Sequence, residues 1–211
     1  MTKKVIVFDM DGVIFDSGEI AHNHIKNKYP SLTEEMHKEI LMHNFYDGLA
    51  KIKHLKRPMS KEEEETLGLE YIEKKKKAPL YDGMLEFLEN LHKQGFILAL
   101  NTSSMERNCI PLLEKDGVRK FFDFLGTKEV SKSKVEKFKI IREKYTIENE
   151  EMLFITDTLG DIREADQAGV PTVAVTWGVH DRYFFSIEPH ENLKKVVDTV
   201  AELEDYIIHS K

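Results

Sequence analysis

The chain has 211 residues, with 31 Lys and Arg against 38 Asp and Glu and a formal net charge of −7. Hydrophobic residues make up 41% and charged residues 33%, a mixture that supports a sizeable core and excludes a collagen, a disulfide scaffold or a largely disordered chain. The acidic balance also excludes gripping nucleic acid as the main task, because that needs a basic face, but it allows a local phosphate pocket.

Val5 to Phe8 is a short apolar run rich in β-branched residues, which predicts a buried parallel strand. Similar runs at Phe96–Leu100, Met152–Ile155 and Thr172–Val175 predict three more. Helical patterns lie between them. Leu85, Leu88 and Leu91 share one face, as do Val135, Phe138, Ile141 and Tyr145, and Ile162, Ala165 and Ala168. Gly169-Val170-Pro171 stops the third of these, and a last helix is expected near Val200 to Ile208. Strands alternating with helices predict an α/β fold with a doubly wound, Rossmann-like parallel sheet.

Between Ser17 and about Pro79 the alternation disappears and only helical patterns remain. Met36, Ile40 and Leu41 form one face there, and Leu67, Tyr71 and Ile72 another. With 12 Lys and Arg against 11 Asp and Glu this stretch is near neutral. Its runs Glu62–Glu65 and Lys74–Lys77 read as a solvated helix with internal charge pairing. The expected organisation is a core of residues 1–16 and 80–211 carrying a helical insertion at 17–79.

A lone cysteine, Cys109, allows no internal disulfide. Only four apolar residues precede Asp9, too few for a signal-peptide core, and no run approaches the ~18 residues of a membrane span. A cytoplasmic protein that engages neither membrane nor nucleic acid, a monomer or weak dimer, is expected.

Two acidic pairs sit where strands should end. Asp9 and Asp11 follow the first strand, and Asp157 and Asp161 follow the third apolar run. Ligands bind at the carboxyl ends of parallel strands, so the pairs should converge. At ~4 Å each like-charged pair costs about 4 kcal/mol at an effective dielectric constant near 20, which calls for a cation or a proton. An oxygen-only donor set suits Mg²⁺, and no Cys or His cluster offers zinc. Thr102-Ser103-Ser104 follows another strand, where hydroxyls and backbone N–H groups can cradle an anion or simply cap a helix. Lys132 or Lys134, in Ser131-Lys132-Ser133-Lys134, is the fourth element, although either one alone reads as a surface lysine.

Taken in order, these elements resemble the haloacid dehalogenase-like hydrolases, specifically their helical-cap phosphatase branch. The first motif reads Asp9-Met10-Asp11-Gly12-Val13, the second is a strand ending in Thr102, the third is the lysine, and the fourth holds Asp157 and Asp161. Thr156-Asp157 stands where the family usually has Gly-Asp. Spacing to Asp157 favours Lys132 as the motif lysine.

The resemblance implies Mg²⁺-dependent hydrolysis of a small phosphorylated metabolite. Asp9 would attack phosphorus and become an aspartyl-phosphate, with Asp11 as acid and then base. Thr102, Ser103 and Lys132 would hold the phosphoryl group. Asp9, the Asp11 backbone carbonyl, Asp157 and Asp161 would serve the metal.

Alternatives within the superfamily are a phosphomutase and a dehalogenase. Mutases of the helical-cap type usually carry a histidine where this chain has Ala21, with His22 beside it. A dehalogenase needs neither metal nor second acid. Outside that chemistry stand a catalytically weak phosphate-binding protein and a receiver domain, whose acids are spaced differently. His22, His24, Lys51, Lys53 and Arg57 are the insertion residues considered for substrate contact, and Asp47-Gly48 reads equally as a turn near the substrate or as an ordinary helix start. Hinges are expected near Asp16–Gly18 and Pro79–Gly83, and Trp177-Gly178 is expected to serve packing.

Overall fold

The computed structural model describes residues 4–209; the charged opening Met1-Thr2-Lys3 and the last two residues lie outside the described range. Six strands form one parallel sheet in the order β3-β2-β1-β4-β5-β6. They are β1 (Val5–Phe8), β2 (Ile97–Asn101), β3 (Phe124–Gly126), β4 (Met152–Thr156), β5 (Thr172–Val175) and β6 (Leu193–Val197). The central strands β1 and β4 are buried along their whole length. This is why they read as unbroken apolar runs: a strand covered on both faces has no polar side to show. Alternate residues feed opposite faces. Ile6, Phe8, Leu98, Leu100, Leu153 and Ile155 join one core cluster, while Val5, Val7, Ala99, Met152 and Phe154 join another.

Four strands fall where the apolar runs place them, with the second and third reaching Asn101 and Thr156. The two edge strands were not expected. β3 has only three residues, and β6 reads Leu-Lys-Lys-Val-Val with both lysines exposed. An edge strand borders water and keeps charge there, so it loses the apolar signature.

Helices α5 (Met84–Lys93), α6 (Glu106–Lys115) and α9 (Val200–His209) pack on the first cluster, and α7 (Lys134–Tyr145) and α8 (Leu159–Ala168) on the other face. One expected face is corrected. Leu85 is 38% exposed, and the buried stripe of α5 is Met84, Phe87, Leu88 and Leu91. Gly83, at φ 79°, turns the chain so that the helix begins at Met84, and the stripe follows from that residue.

Residues 17–79 carry α1 (Gly18–Lys28), α2 (Glu34–Leu41), α3 (Phe45–Lys51) and α4 (Lys61–Lys75), and no strand. Ile25, Tyr29, Leu32 and Ile40 form their own small apolar cluster. Asp47 and Gly48 lie inside α3 rather than in a turn; a Cβ on Gly48 would collide with the Ile40 carbonyl, so the glycine lets α3 press onto α2. The two crossings into this region run side by side. The Asp16 N–H donates to the Pro79 carbonyl at 2.9 Å, and Phe15 pairs with Leu80.

The stretch joining α2 to α3 rests on the start of α8. A Cβ on Gly160 would strike the His43 carbonyl, the Arg163 guanidinium donates to the Met42 carbonyl at 2.5 Å, and Asn44 donates to Glu164 at 3.0 Å. Among the described residues no helix is long and apolar enough to cross a membrane.

Candidate active site

The strand order reverses between β1 and β4, and open parallel sheets place ligands at that point, beyond the carboxyl ends of the strands. Phe8 pairs with Ile155, so Asp9 and the Thr156-Asp157 pair emerge next to one another. A cavity of about 410 Å³ opens there between the sheet and helices α1–α4. Asp9, Asp11, Asp157 and Asp161 line it, together with Thr102, Ser103, Ser104 and Lys134. The four acids and the hydroxyl loop read from the sequence are thus brought together.

The lysine is not the one expected. Lys134 is buried, and its Nζ lies 2.5 Å from Asp9 Oδ1 and 2.7 Å from Asp161 Oδ2, while also donating to the Asn101 carbonyl at 2.8 Å. Lys132 is exposed, with its Nζ 5.4 Å over the Tyr46 ring. Helix geometry makes the difference. Ser133 caps α7, so Lys134 is its first residue and projects beneath the strand ends, whereas Lys132 belongs to the loop outside.

A second lysine emerges from a run read as solvated. Lys74 and Lys76 pair with Glu70 and Glu73 on the surface, but Lys75 is fully buried and donates to Asp11 Oδ2 at 2.7 Å. The same oxygen accepts from Ser104 at 2.7 Å, and Asp11 Oδ1 accepts from Ser17 at 2.5 Å. Asp11 therefore spends its carboxylate on these donors. Only its backbone carbonyl remains for the metal role that the resemblance implies. Thr102-Ser103-Ser104 does not cap α6, whose N-cap is Met105. Instead Thr102 Oγ1 accepts from the Ser104 N–H at 3.1 Å, and Tyr46 of α3 donates to the Ser103 carbonyl at 2.5 Å.

Charge follows from these contacts. Burial raises Asp9 to about 6, with Asp161 and Asp11 adding and Lys134 opposing. Burial would raise Asp11 too, but Lys75 and the two serines outweigh it and hold the group below its ordinary value. Asp157 is pushed well above the carboxylate range by burial and then by Asp9. Its Oδ2 accepts from the Val179 N–H at 2.8 Å, while its Oδ1 is buried with no hydrogen-bond partner. Gly12 and Gly178 enclose it, since a Cβ on either would overlap the carboxylate. The departure at Thr156 has a use: its hydroxyl donates to Asp161 Oδ2 at 2.6 Å.

Among the described residues no three Asp, Glu, His or Cys side chains close on one point as a full metal shell. Lys134 contacts Asp9 and Asp161, and Lys75 contacts Asp11, so two positive charges face three of the four acids. What remains fits Mg²⁺ better than a tighter-ligated metal: an orphaned buried carboxylate oxygen, all-oxygen chemistry, and room for water. Mg²⁺ characteristically takes one or two carboxylates and keeps several waters.

This gives a pH test. The folded state holds the Asp157 proton more tightly than the unfolded chain, so stability is lost as pH rises through its elevated value. Asp157→Asn has no such loss. In metal-free buffer its melting temperature should gain on the wild type as pH rises above the ordinary carboxylate range, and Mg²⁺ should stabilise the wild type alone there. Equal melting curves at every pH, with and without Mg²⁺, would refute both roles.

Of the insertion residues considered for substrate contact, only His24 lines the cavity. Lys51 lies against His43, and Arg57 bonds Glu63 and the Asn27 carbonyl. Ala21 faces the cavity while His22 packs on His37, ring centres 5.0 Å apart. Trp177 packs as expected and donates to the Val13 carbonyl at 3.1 Å. Gly178 and Val179 were missed as site residues, as were Lys75, Ser17 and Glu164, which accepts the Lys134 N–H at 2.7 Å.

The family model for haloacid dehalogenase-like hydrolases matches residues 6–175. The chain belongs to that family. Phosphoglycolate phosphatase of Vibrio vulnificus is 31% identical over 64% of this chain and 59% of its own. Phosphoglycolate phosphatase of Mesorhizobium japonicum is 22% identical over 100% of this chain and 99% of its own. The first-named match therefore spans somewhat over half of that relative's length. Among solved structures, a haloacid dehalogenase-like protein from Streptococcus pneumoniae superposes with TM-score 0.74 at 18% identity, covering 97% of this chain and 98% of that one. CbbY from Rhodobacter sphaeroides, in complex with phosphate, superposes with TM-score 0.76 at 17% identity, covering 96% of each chain. These structures share the haloacid dehalogenase-like fold.

Proposed function

We propose that this haloacid dehalogenase-like protein is a phosphoric monoester hydrolase that uses Mg²⁺ and an aspartyl-phosphate on Asp9 to cleave a small phosphorylated metabolite. The observation that carries this reading is the placement of Asp9 at the switch point of the sheet, beside a second acid and beneath a buried lysine. Phosphoglycolate phosphatase relatives support it.

Asp9 offers its free oxygen to phosphorus while Lys134 holds the other at 2.5 Å and fixes the direction of attack. Thr102, Ser103 and nearby backbone N–H groups hold phosphoryl oxygens, and Lys134 offsets their charge. Asp11 protonates the leaving oxygen and then takes a proton from water. Its bonds to Lys75, Ser17 and Ser104 favour the ionised form, which suits the second step; protonation for the first requires Lys75 to draw back. Asp9, Asp157 and the Asp11 carbonyl would hold Mg²⁺, with Asp161 beside its water. When bound, the cation offsets the repulsion between a phosphate dianion and an incoming carboxylate. Residues 17–79 act as a cap over this chemistry, and closing it excludes water.

Phosphate release from an aryl phosphate, assayed with Mg²⁺ and with chelator, tests the reading. Release with the metal that falls to background without it is expected. No release from folded protein with the metal present would overturn the proposal.

A further inference from the structure

Away from the acids, the same cavity is walled by cations from both halves of the molecule. Lys28 at the end of α1, Lys56 just beyond α3, Arg107 on α6 and Lys128 after β3 all line it. Lys56 is committed to Glu64, the carboxylate on this wall. Glu129 nearby accepts the Glu106 N–H. No carboxylate of the described residues lies within ion-pair distance of Lys28, Arg107 or Lys128. Burial lowers Lys28; Glu64 on the same wall opposes that shift, while Lys56, Arg107 and Lys128 add to it. Lys28 and Lys128 are half-buried and Arg107 is exposed, with the Lys128 ammonium 5.5 Å over the Tyr46 ring, so an anion entering this end of the cavity meets three cations that no carboxylate contacts.

Their position sets a length. Arg107 reaches across to α4, where a Cβ on Gly68 would meet its guanidinium at 3.4 Å. Lys75, on the same helix, touches Asp11. From Gly68 to Lys75 the helix rises about 10 Å at ~1.5 Å per residue. That span corresponds to roughly eight to nine chain bonds. Phosphoglycolate, with one methylene between its anions, does not bridge it.

We infer that the substrate carries a second anionic group, a carboxylate or a phosphate, at the end remote from the cleaved phosphoester, and that Arg107, Lys28 and Lys128 receive it. This rests on the phosphoester reading above and narrows it to extended bis-anionic metabolites. Arg107 gives the geometric specificity, because its planar fork matches either oxyanion.

Three linear series test it: ω-hydroxyalkyl phosphates, ω-phospho carboxylic acids and α,ω-bisphosphates, each graded in spacer length and scored by kcat/KM for phosphate release. The readout is the ratio of each bis-anion to the hydroxyalkyl phosphate of equal length. A ratio of about tenfold or more is expected at the longer spacers, the size of one charge-assisted hydrogen bond. Phosphoglycolate should show no comparable gain over hydroxyethyl phosphate. In Arg107→Gln with Lys128→Gln the ratio should collapse towards one. The series with the larger ratio identifies the second group. Turnover of the hydroxyalkyl phosphates with ratios near one at every length overturns the inference and leaves the phosphatase reading standing, as does a ratio unchanged in the double variant. Absence of turnover in all three series overturns the inference, and it overturns the phosphatase reading as well only where the aryl phosphate is also left intact.

Discussion

Asp9→Asn is expected to abolish phosphate release, with a loss of at least about 10⁴-fold in kcat, because an amide cannot form the acyl-phosphate that covalent catalysis requires. The fold should survive. Asp9 contributes no apolar packing, its backbone N–H still donates to the Ile155 carbonyl at 2.9 Å, and an amide oxygen can still accept from Lys134. The variant also removes a carboxylate that burial has raised to about 6, so its melting temperature in metal-free buffer should match or exceed that of the wild type above that pH. Phosphate release and thermal melting, measured together, check the two halves. A folded variant with most of its rate would show that Asp9 is not the nucleophile.

The second large effect separates two neighbouring lysines. Lys134→Ala leaves Asp9 and Asp161 facing each other without the ammonium that lies 2.5 and 2.7 Å from them. Breaking a buried pair by deleting one partner typically costs about 3–5 kcal/mol. The lost orientation of Asp9 should add a fall of about 10²–10³-fold in kcat, the usual size for a removed electrostatic stabiliser. Where instability obscures the comparison, Lys134→Arg keeps the charge but not the shape, and should recover stability more fully than turnover. Lys132→Ala, which loses only an exposed ammonium over Tyr46, should stay within about twofold in rate and ~0.5 kcal/mol in stability. Rates and unfolding midpoints of the three variants decide the matter, and a larger loss at Lys132 would reverse the assignment.

This pair of lysines also shows how far the sequence speaks. Asp9 and Asp157 were legible because buried parallel strands announce themselves as apolar runs, and each acid follows such a run directly. Lys132 and Lys134 stand two positions apart in a polar segment, and only the start of α7 decides which one turns inward. Lys75 was hidden for a related reason. It shares a run of four lysines with residues that truly are solvated, and its burial depends on where α4 ends against Ser104 and Asp11. Gly178 and Val179 were obscure because their role is proximity: a bare backbone lets Asp157 fit, and one N–H holds it. The edge strands β3 and β6 escaped because one is too short and the other too charged to carry the pattern that reveals their neighbours.

The paired crossings at Asp16 and Pro79 carry a consequence for how such a molecule can be remodelled. The two ends of a long excursion meet as hydrogen-bonded neighbours at 2.9 Å, and the excursion supplies no strand to the sheet. Since the entropy of closing a loop grows by only about 0.6 kcal/mol for each doubling of its length, the platform beneath tolerates a larger cover, a smaller one or a plain tight turn at nearly constant expense. Exchange is not free of consequence, however: the excursion also brings in Lys75, whose ammonium lies 2.7 Å from Asp11, so a grafted replacement must supply its own partner for that acid.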